Sequence, residues 1–261
     1  MNFELLLEQT IDIVKEVSSF IETESKHFDI NRIEKKGFND LVSYVDKEAE
    51  KRLVRKLSQV LPDAGFIAEE GTSSVRSDEY NWIIDPLDGT TNFTHGLPVY
   101  AISVALVHKN DLILGVVNEI NRKECFSAIK GQGAKLNGAS ISVSEIDTLG
   151  ESLMATGFPY YNFDDMQKYL SILNDLMQST HGLRRMGSAA VDLAYVACGR
   201  FEGFFEYNLN AWDVAAGALI VQEAGGQVSD FGGNSNYLFG REIIAAGPTH
   251  GSLLQTIQNR W

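Results

Sequence analysis

One stretch constrains this chain more than any other: Trp82-Ile83-Ile84-Asp85-Pro86-Leu87-Asp88-Gly89-Thr90-Thr91-Asn92-Phe93. Its apolar start reads as the end of a buried strand that delivers Asp85 and Asp88 to its exit. Pro86 cannot donate to a sheet ladder, so regular pairing is expected to stop there. Gly89 permits an unusual backbone angle or close approach by a ligand. Thr90 and Thr91 can start a helix, with hydroxyls and free N–H groups facing an anion. Mg²⁺ is commonly held by a few carboxylates together with substrate phosphate, and this stretch offers both parts. The plainer alternative is a polar turn after a strand, with Asp85 as a cap.

A second stretch, Trp212-Asp213-Val214-Ala215-Ala216-Gly217 running on to Gly225-Gly226, reads as a helix of small residues with glycines at its C-cap. Asp213 at its start could be a simple N-cap. In this order the two stretches resemble the signatures of the inositol monophosphatase family, Mg²⁺-dependent and lithium-sensitive phosphatases, and the resemblance covers nearly the whole chain. It implies an α+β fold, a layered αβαβα sandwich of the inositol monophosphatase / fructose-1,6-bisphosphatase type, and a homodimer. It also implies two or three Mg²⁺ ions on Glu69, Asp85, Asp88, Asp213 and the Leu87 carbonyl, with Li⁺ as inhibitor. Thr90, backed by Asp46, is then expected to activate water, and Glu69 to share in catalysis. Asp46 closes Asp40-Leu41-Val42-Ser43-Tyr44-Val45-Asp46, where Ser43 departs from the family's threonine; Ala68 before Glu69 replaces its glycine. Expected substrate contacts are Asp88, Gly89, Thr90 and Thr91 on phosphate, then Gly187, Ser188, Ala189, Glu206 and Asp213. Arg184 or Arg185 is placed near the site, and Lys35 or Lys36 on a mobile loop that closes over it. The implied reaction is hydrolysis of myo-inositol 1-phosphate or a similar polyol or sugar phosphate. Alternatives are a 3′(2′),5′-bisphosphonucleotide, fructose 1,6-bisphosphate, histidinol phosphate or NADP as substrate, or a partner role in the transcription machinery.

A net charge of −13 argues against a broad nucleic-acid surface. An anionic substrate is compatible with it, because bound cations are often the largest local charges in a site. Two cysteines, Cys125 and Cys198, form no C-x-x-C pair, and five histidines form no zinc-like pattern. The N-terminus does not read as a signal peptide and no apolar run approaches a membrane span, so a cytoplasmic protein is expected.

The remaining chain alternates types. Residues 3–28 and 41–61 have helical spacing, with a basic loop over 31–40 between them. Residues 65–71 read as a strand ending in Glu69 and Glu70. Strands over 99–107, 112–117 and 124–129 form an antiparallel meander, and the glycine-rich 131–138 a hairpin. The chain is expected to be a single domain, 1–261, with halves at 1–145 (metal and phosphate motif) and 146–261 (substrate side). The second half reads as strand 153–158, helix 164–178, strand 201–206, the Asp213 helix, strand 243–246 and a last helix.

Overall fold

The structure is a computed structural model that describes residues 1–28, 33–35, 41–159 and 163–261, with residues 33–35, 41 and 42 as backbone alone. Its elements in order are α1 (Phe3–Ser25), β1 (Ile33–Lys35), β2 (Leu41–Ser43), α2 (Tyr44–Val60), β3 (Gly65–Ala68), β4 (Tyr80–Asp88) and α3 (Thr90–Thr94). Strands β5 (Ala101–His108), β6 (Asp111–Glu119), β7 (Glu124–Ile129), β8 (Ala134–Leu136) and β9 (Ala139–Ile141) follow. The second half carries β10 (Leu153–Thr156), α4 (Met166–Ser179), β11 (Gly182–Arg184), α5 (Ala189–Ala197), β12 (Gly203–Tyr207), α6 (Ala211–Glu223), β13 (Gln227–Ser229), β14 (Glu242–Ala246) and α7 (His250–Gln258).

Strands β3 to β9 form one sheet in sequence order, and the second sheet runs β11-β10-β12-β14-β13. Helices α1 and α2 cover the outer face of the first sheet, α5 and α6 lie between the sheets, and α4 and α7 cover the far face of the second. This is the layered αβαβα arrangement expected from the resemblance. Strand β4 shows why its sequence is apolar throughout. Trp82 and Ile84 pack toward α1 and α2, while Ile83 packs toward α5 and α6, so both faces are buried. The central helices are rich in small residues because they are enclosed on both sides. A Cβ on Gly217 of α6 would lie 2.6 Å from the Leu193 Cβ of α5.

Several boundaries differ from the sequence reading. Pro86 does not end β4: the strand continues to Asp88 through a bulge, with Asp85 opposite Ser103 and Asp88 opposite Ala101. A bulge is one of the few places where a sheet tolerates proline. Residues 41–43 are strand rather than helix, pairing antiparallel with 33–35. Helix α2 starts at Tyr44 because Ser43 caps it, in a capping box closed by Asp46. Strand β3 ends at Ala68, so Glu69 and Glu70 sit in the following turn. Along α1, Leu6, Ile13, Val14, Val17 and Ile21 are buried, whereas Leu7 and Ile11 pack at the edge of that face.

Candidate functional site

The carboxylates stand at the C-terminal end of β4 and on the elements facing it. Asp85 lies in the bulge, buried, its Oδ1 accepting from Leu87 N at 2.9 Å. Asp88 reaches across to the other half: its Oδ2 accepts from Ser188 Oγ at 2.7 Å and from Ala190 N at 2.6 Å. Asp213 is the third residue of α6, where its Oδ2 accepts from Asn210 N at 2.6 Å. Asn210 is therefore the cap, and Asp213 closes the capping box. Glu69 lines the same cavity as Asp88 and Asp213.

These groups crowd one another. Burial first, then the charges of Glu69, Asp88 and Asp213, push the Asp85 carboxyl well above its ordinary range. Burial raises Asp88 to about 6, opposed by its bonds to Ser188 and Ala190. Burial and the Asp88 charge raise Asp213 to about 7. A concentration of mutually repelling carboxylates in a low-dielectric site is a demand for cations or protons. Among the described residues no three His, Cys, Asp or Glu side chains are already drawn together in a metal-holding arrangement.

Beside this cluster stands a second unit. Asp46, fully buried on α2, accepts from Ser43 N at 2.9 Å and Ser43 Oγ at 2.6 Å on its Oδ2. Its Oδ1 accepts from Thr90 Oγ1 at 2.7 Å. Burial raises the Asp46 carboxyl, and the bonds from Ser43 and Thr90 oppose that. Thr90 opens α3 after Gly89, whose φ of +99° is left-handed and natural to glycine. Space is also short there: a Cβ on Gly89 would meet Val99 O at 3.0 Å and Gly187 O at 3.2 Å.

A cavity of about 360 Å³ opens over the cluster. Gly187, Ala189, Asp192, Glu206 and Phe158 are among the residues that line it. Arg185 lines it, whereas Arg184 turns back to bond Leu183 O and is exposed. Ser188 also lines it, although its hydroxyl is already engaged with Asp88 and caps α5 at Val191 N. Asp85, Leu87, Gly89, Thr90 and Thr91 lie at the β4–α3 junction beneath. The backbone of Lys35 is in β1 and its side chain is not described; Lys36 lies outside the described residues.

Three supporting residues escaped the sequence reading. Glu50, one turn beyond Asp46 on α2, accepts from Glu70 N, Thr72 N and Thr72 Oγ1, fixing the turn that carries Glu69. The i, i+4 spacing of Asp46 and Glu50 was its only signal. Asn92 donates to Val99 O and Met186 O, tying α3 to the cavity wall. Asp192 carried no signal beyond being an acidic residue inside a small-residue helix.

The model of the inositol monophosphatase family matches residues 3–261. The chain belongs to the inositol monophosphatase family. Its relatives in that family include Nus factor SuhB of Pseudomonas aeruginosa, 43% identical over 239 residues, covering 89% of this chain and 88% of that one. The crystal structure of the extragenic suppressor protein suhB from Bartonella henselae superposes with a TM-score of 0.92 at 35% identity, covering 97% of this chain and 98% of that one. The IMPase of Thermotoga maritima gives a TM-score of 0.87, also at 35% identity, covering 97% and 96%. Among the described residues no helix is long and apolar enough to cross a membrane.

Proposed function

We propose that this chain is a Mg²⁺-dependent phosphomonoesterase acting on myo-inositol 1-phosphate or a similar small polyol or sugar phosphate. The observation that carries the reading is the set of buried carboxylates around Asp85, whose proton affinities are raised by burial first and, for Asp85 and Asp213, by neighbouring carboxylate charge. Glu69, Asp85, Asp88, Asp213 and the Leu87 carbonyl would hold two or three ions. Bound there, Mg²⁺ would supply charge against the phosphate oxygens and acidify the attacking water.

The remaining work falls to the chain. The Thr90 hydroxyl, fixed by Asp46, orients a water and takes up its proton while passing its own to Asp46 Oδ1. A carboxylate whose pKa has been raised is a better proton acceptor than an exposed one, which fits that role. The first-turn N–H groups of α3 have no helical partners and are available to the phosphate. The bond from phosphorus to water oxygen forms as the bond to the alcohol oxygen breaks, and the departing alkoxide takes a proton from solvent. Glu206 and the Gly187–Ala189 wall meet the alcohol. Positioning and charge stabilisation are what phosphoryl transfer chiefly requires. Inhibition by Li⁺, a homodimer and a cytoplasmic location belong to the same proposal.

Phosphate release tests it, measured on myo-inositol 1-phosphate, fructose 1,6-bisphosphate, histidinol phosphate, NADP and a 3′-phosphonucleotide, with and without Li⁺. Fastest release from the inositol ester, suppressed by Li⁺, is the expected result. Faster release from another ester reassigns the substrate, and none from any removes the phosphatase reading. A second reading, a partner in the transcription machinery, is supported by the Nus factor name of the Pseudomonas relative. Binding to RNA polymerase that survives Asp85→Ala would establish it beside the first.

A further inference from the structure

The cavity contains polar atoms that neither the carboxylate cluster nor the Asp46–Thr90 pair uses. Asp192 lines it from α5, one turn beyond Ser188, and is 1% exposed. Its Oδ1 is buried and has no hydrogen-bond partner among the described residues. Asn208, just after β12, lines the same cavity, and its Nδ2 is likewise buried without a partner among the described residues. Its Oδ1 is occupied, accepting from the Arg241 guanidinium at 2.7 Å, and that bond orients the amide. Glu206 lines the same cavity, its carboxylate resting against the backbone of Gly157, where a Cβ would lie 2.1 Å from Oε2.

An unpartnered buried carboxylate is expensive to keep, and so is an unpartnered amide N–H. Both costs fall on one cavity, and the two atoms are chemically complementary. An alcohol hydroxyl donates one hydrogen and accepts on its lone pairs, so it needs an acceptor and a donor. Asp192 and Glu206 offer acceptors, and Asn208 offers a donor. Burial first, then neighbouring carboxylates, push Asp192 and Glu206 well above their ordinary range, and Arg185, which lines the same cavity, opposes the shift in both.

We propose that Asp192 is a specificity-determining residue: with Asn208 it binds hydroxyls of the leaving alcohol, restricting the enzyme to polyhydroxylated phosphomonoesters. The inference rests on the phosphatase reading above and adds to it what selects the substrate. Removing Asp192 leaves the substrate hydroxyl without its acceptor, and a site built around such a bond rejects analogues that lack it.

The test uses two esters of one ring, myo-inositol 1-phosphate and cyclohexyl phosphate, which differ by the hydroxyls alone. In the Asp192→Ala variant, which removes both acceptor oxygens, the ratio of kcat/KM for the inositol ester to that for the cyclohexyl ester falls about tenfold, mainly through KM. Asn208→Ala lowers the same ratio, and stands as the second variant should the first not fold. The substrate-free Asp192→Ala protein melts close to the parent, because losing a buried oxygen without a partner offsets the small volume removed. A parent that hydrolyses neither ester defeats the phosphatase reading and this inference with it. An active parent whose preference is unchanged by both substitutions defeats this inference alone. An equal loss on both esters with a lowered melting temperature assigns Asp192 to structure and also overturns it.

Discussion

Asp46 and Thr90 are 44 residues apart in sequence, and one 2.7 Å bond joins them. If Thr90 positions the attacking water, Thr90→Ala and Asp46→Asn each lower kcat by about 10²- to 10⁴-fold while KM changes little. Combining them costs far less than the product of the two, since they act as one unit. Full additivity in that double mutant would separate their roles. Gly157 makes a different prediction. Its replacement by alanine sets a methyl against the Glu206 carboxylate, so KM for the inositol ester rises while the Asp46–Thr90 bond is untouched. Steady-state kinetics divided into kcat and KM decide this; a change confined to kcat would contradict it.

Helix α2 carries Asp46 and Glu50 one turn apart on one face. Asp46 serves Thr90, and Glu50 one turn on holds the turn bearing Glu69 through three donors. Removing the carboxylate in Glu50→Ala leaves those donors unpaired and costs about 1–3 kcal/mol of stability. Glu50→Gln keeps an acceptor and loses less. Denaturant unfolding of the two variants measures the difference, and equal stability would show that the turn holds itself. Much of this layer was legible in advance. The β4 run, the 99–129 meander and the small-residue Asp213 helix carry strong local patterns that tertiary packing reinforces. What was not legible depended on contacts distant in sequence. The bulge at Pro86 exists because β5 continues alongside β4, and proline alone gives no hint of that. Glu50 and Asn92 look like ordinary polar residues until the turn at 70–72 and the carbonyl of Met186 are brought to them. The helix start at Tyr44 was recoverable, because Ser43 and Asp46 have capping-box spacing.

At the scale of the molecule, the cluster joins both halves. Asp85 and Asp88 come from the first sheet, Asp213 from α6, and Ser188 and Ala190 clamp Asp88 from α5. Its raised pKa values make stability depend on pH. Asp88 near 6 and Asp213 near 7 bind protons more tightly folded than unfolded, where the ordinary value is 3.8. Stability from these groups is therefore fully present below about pH 4 and is lost as pH rises through 6 to 7. Other carboxylates dominate in strong acid, so the clean window is pH 5 to 8. Without divalent cation, the melting temperature should fall across that window, and millimolar Mg²⁺ should restore it most at the alkaline end. A melting temperature that rises with pH in chelator, or ignores Mg²⁺, would contradict the crowding of these carboxylates. The most direct measurement of the whole account is phosphate release from myo-inositol 1-phosphate across a Mg²⁺ titration, for the parent and Asp88→Asn. No release is expected without Mg²⁺, with saturable activation in the parent and a rate lower by about 10²-fold or more in the variant at saturating Mg²⁺. Release that is independent of Mg²⁺, or a variant that turns over like the parent, would contradict it.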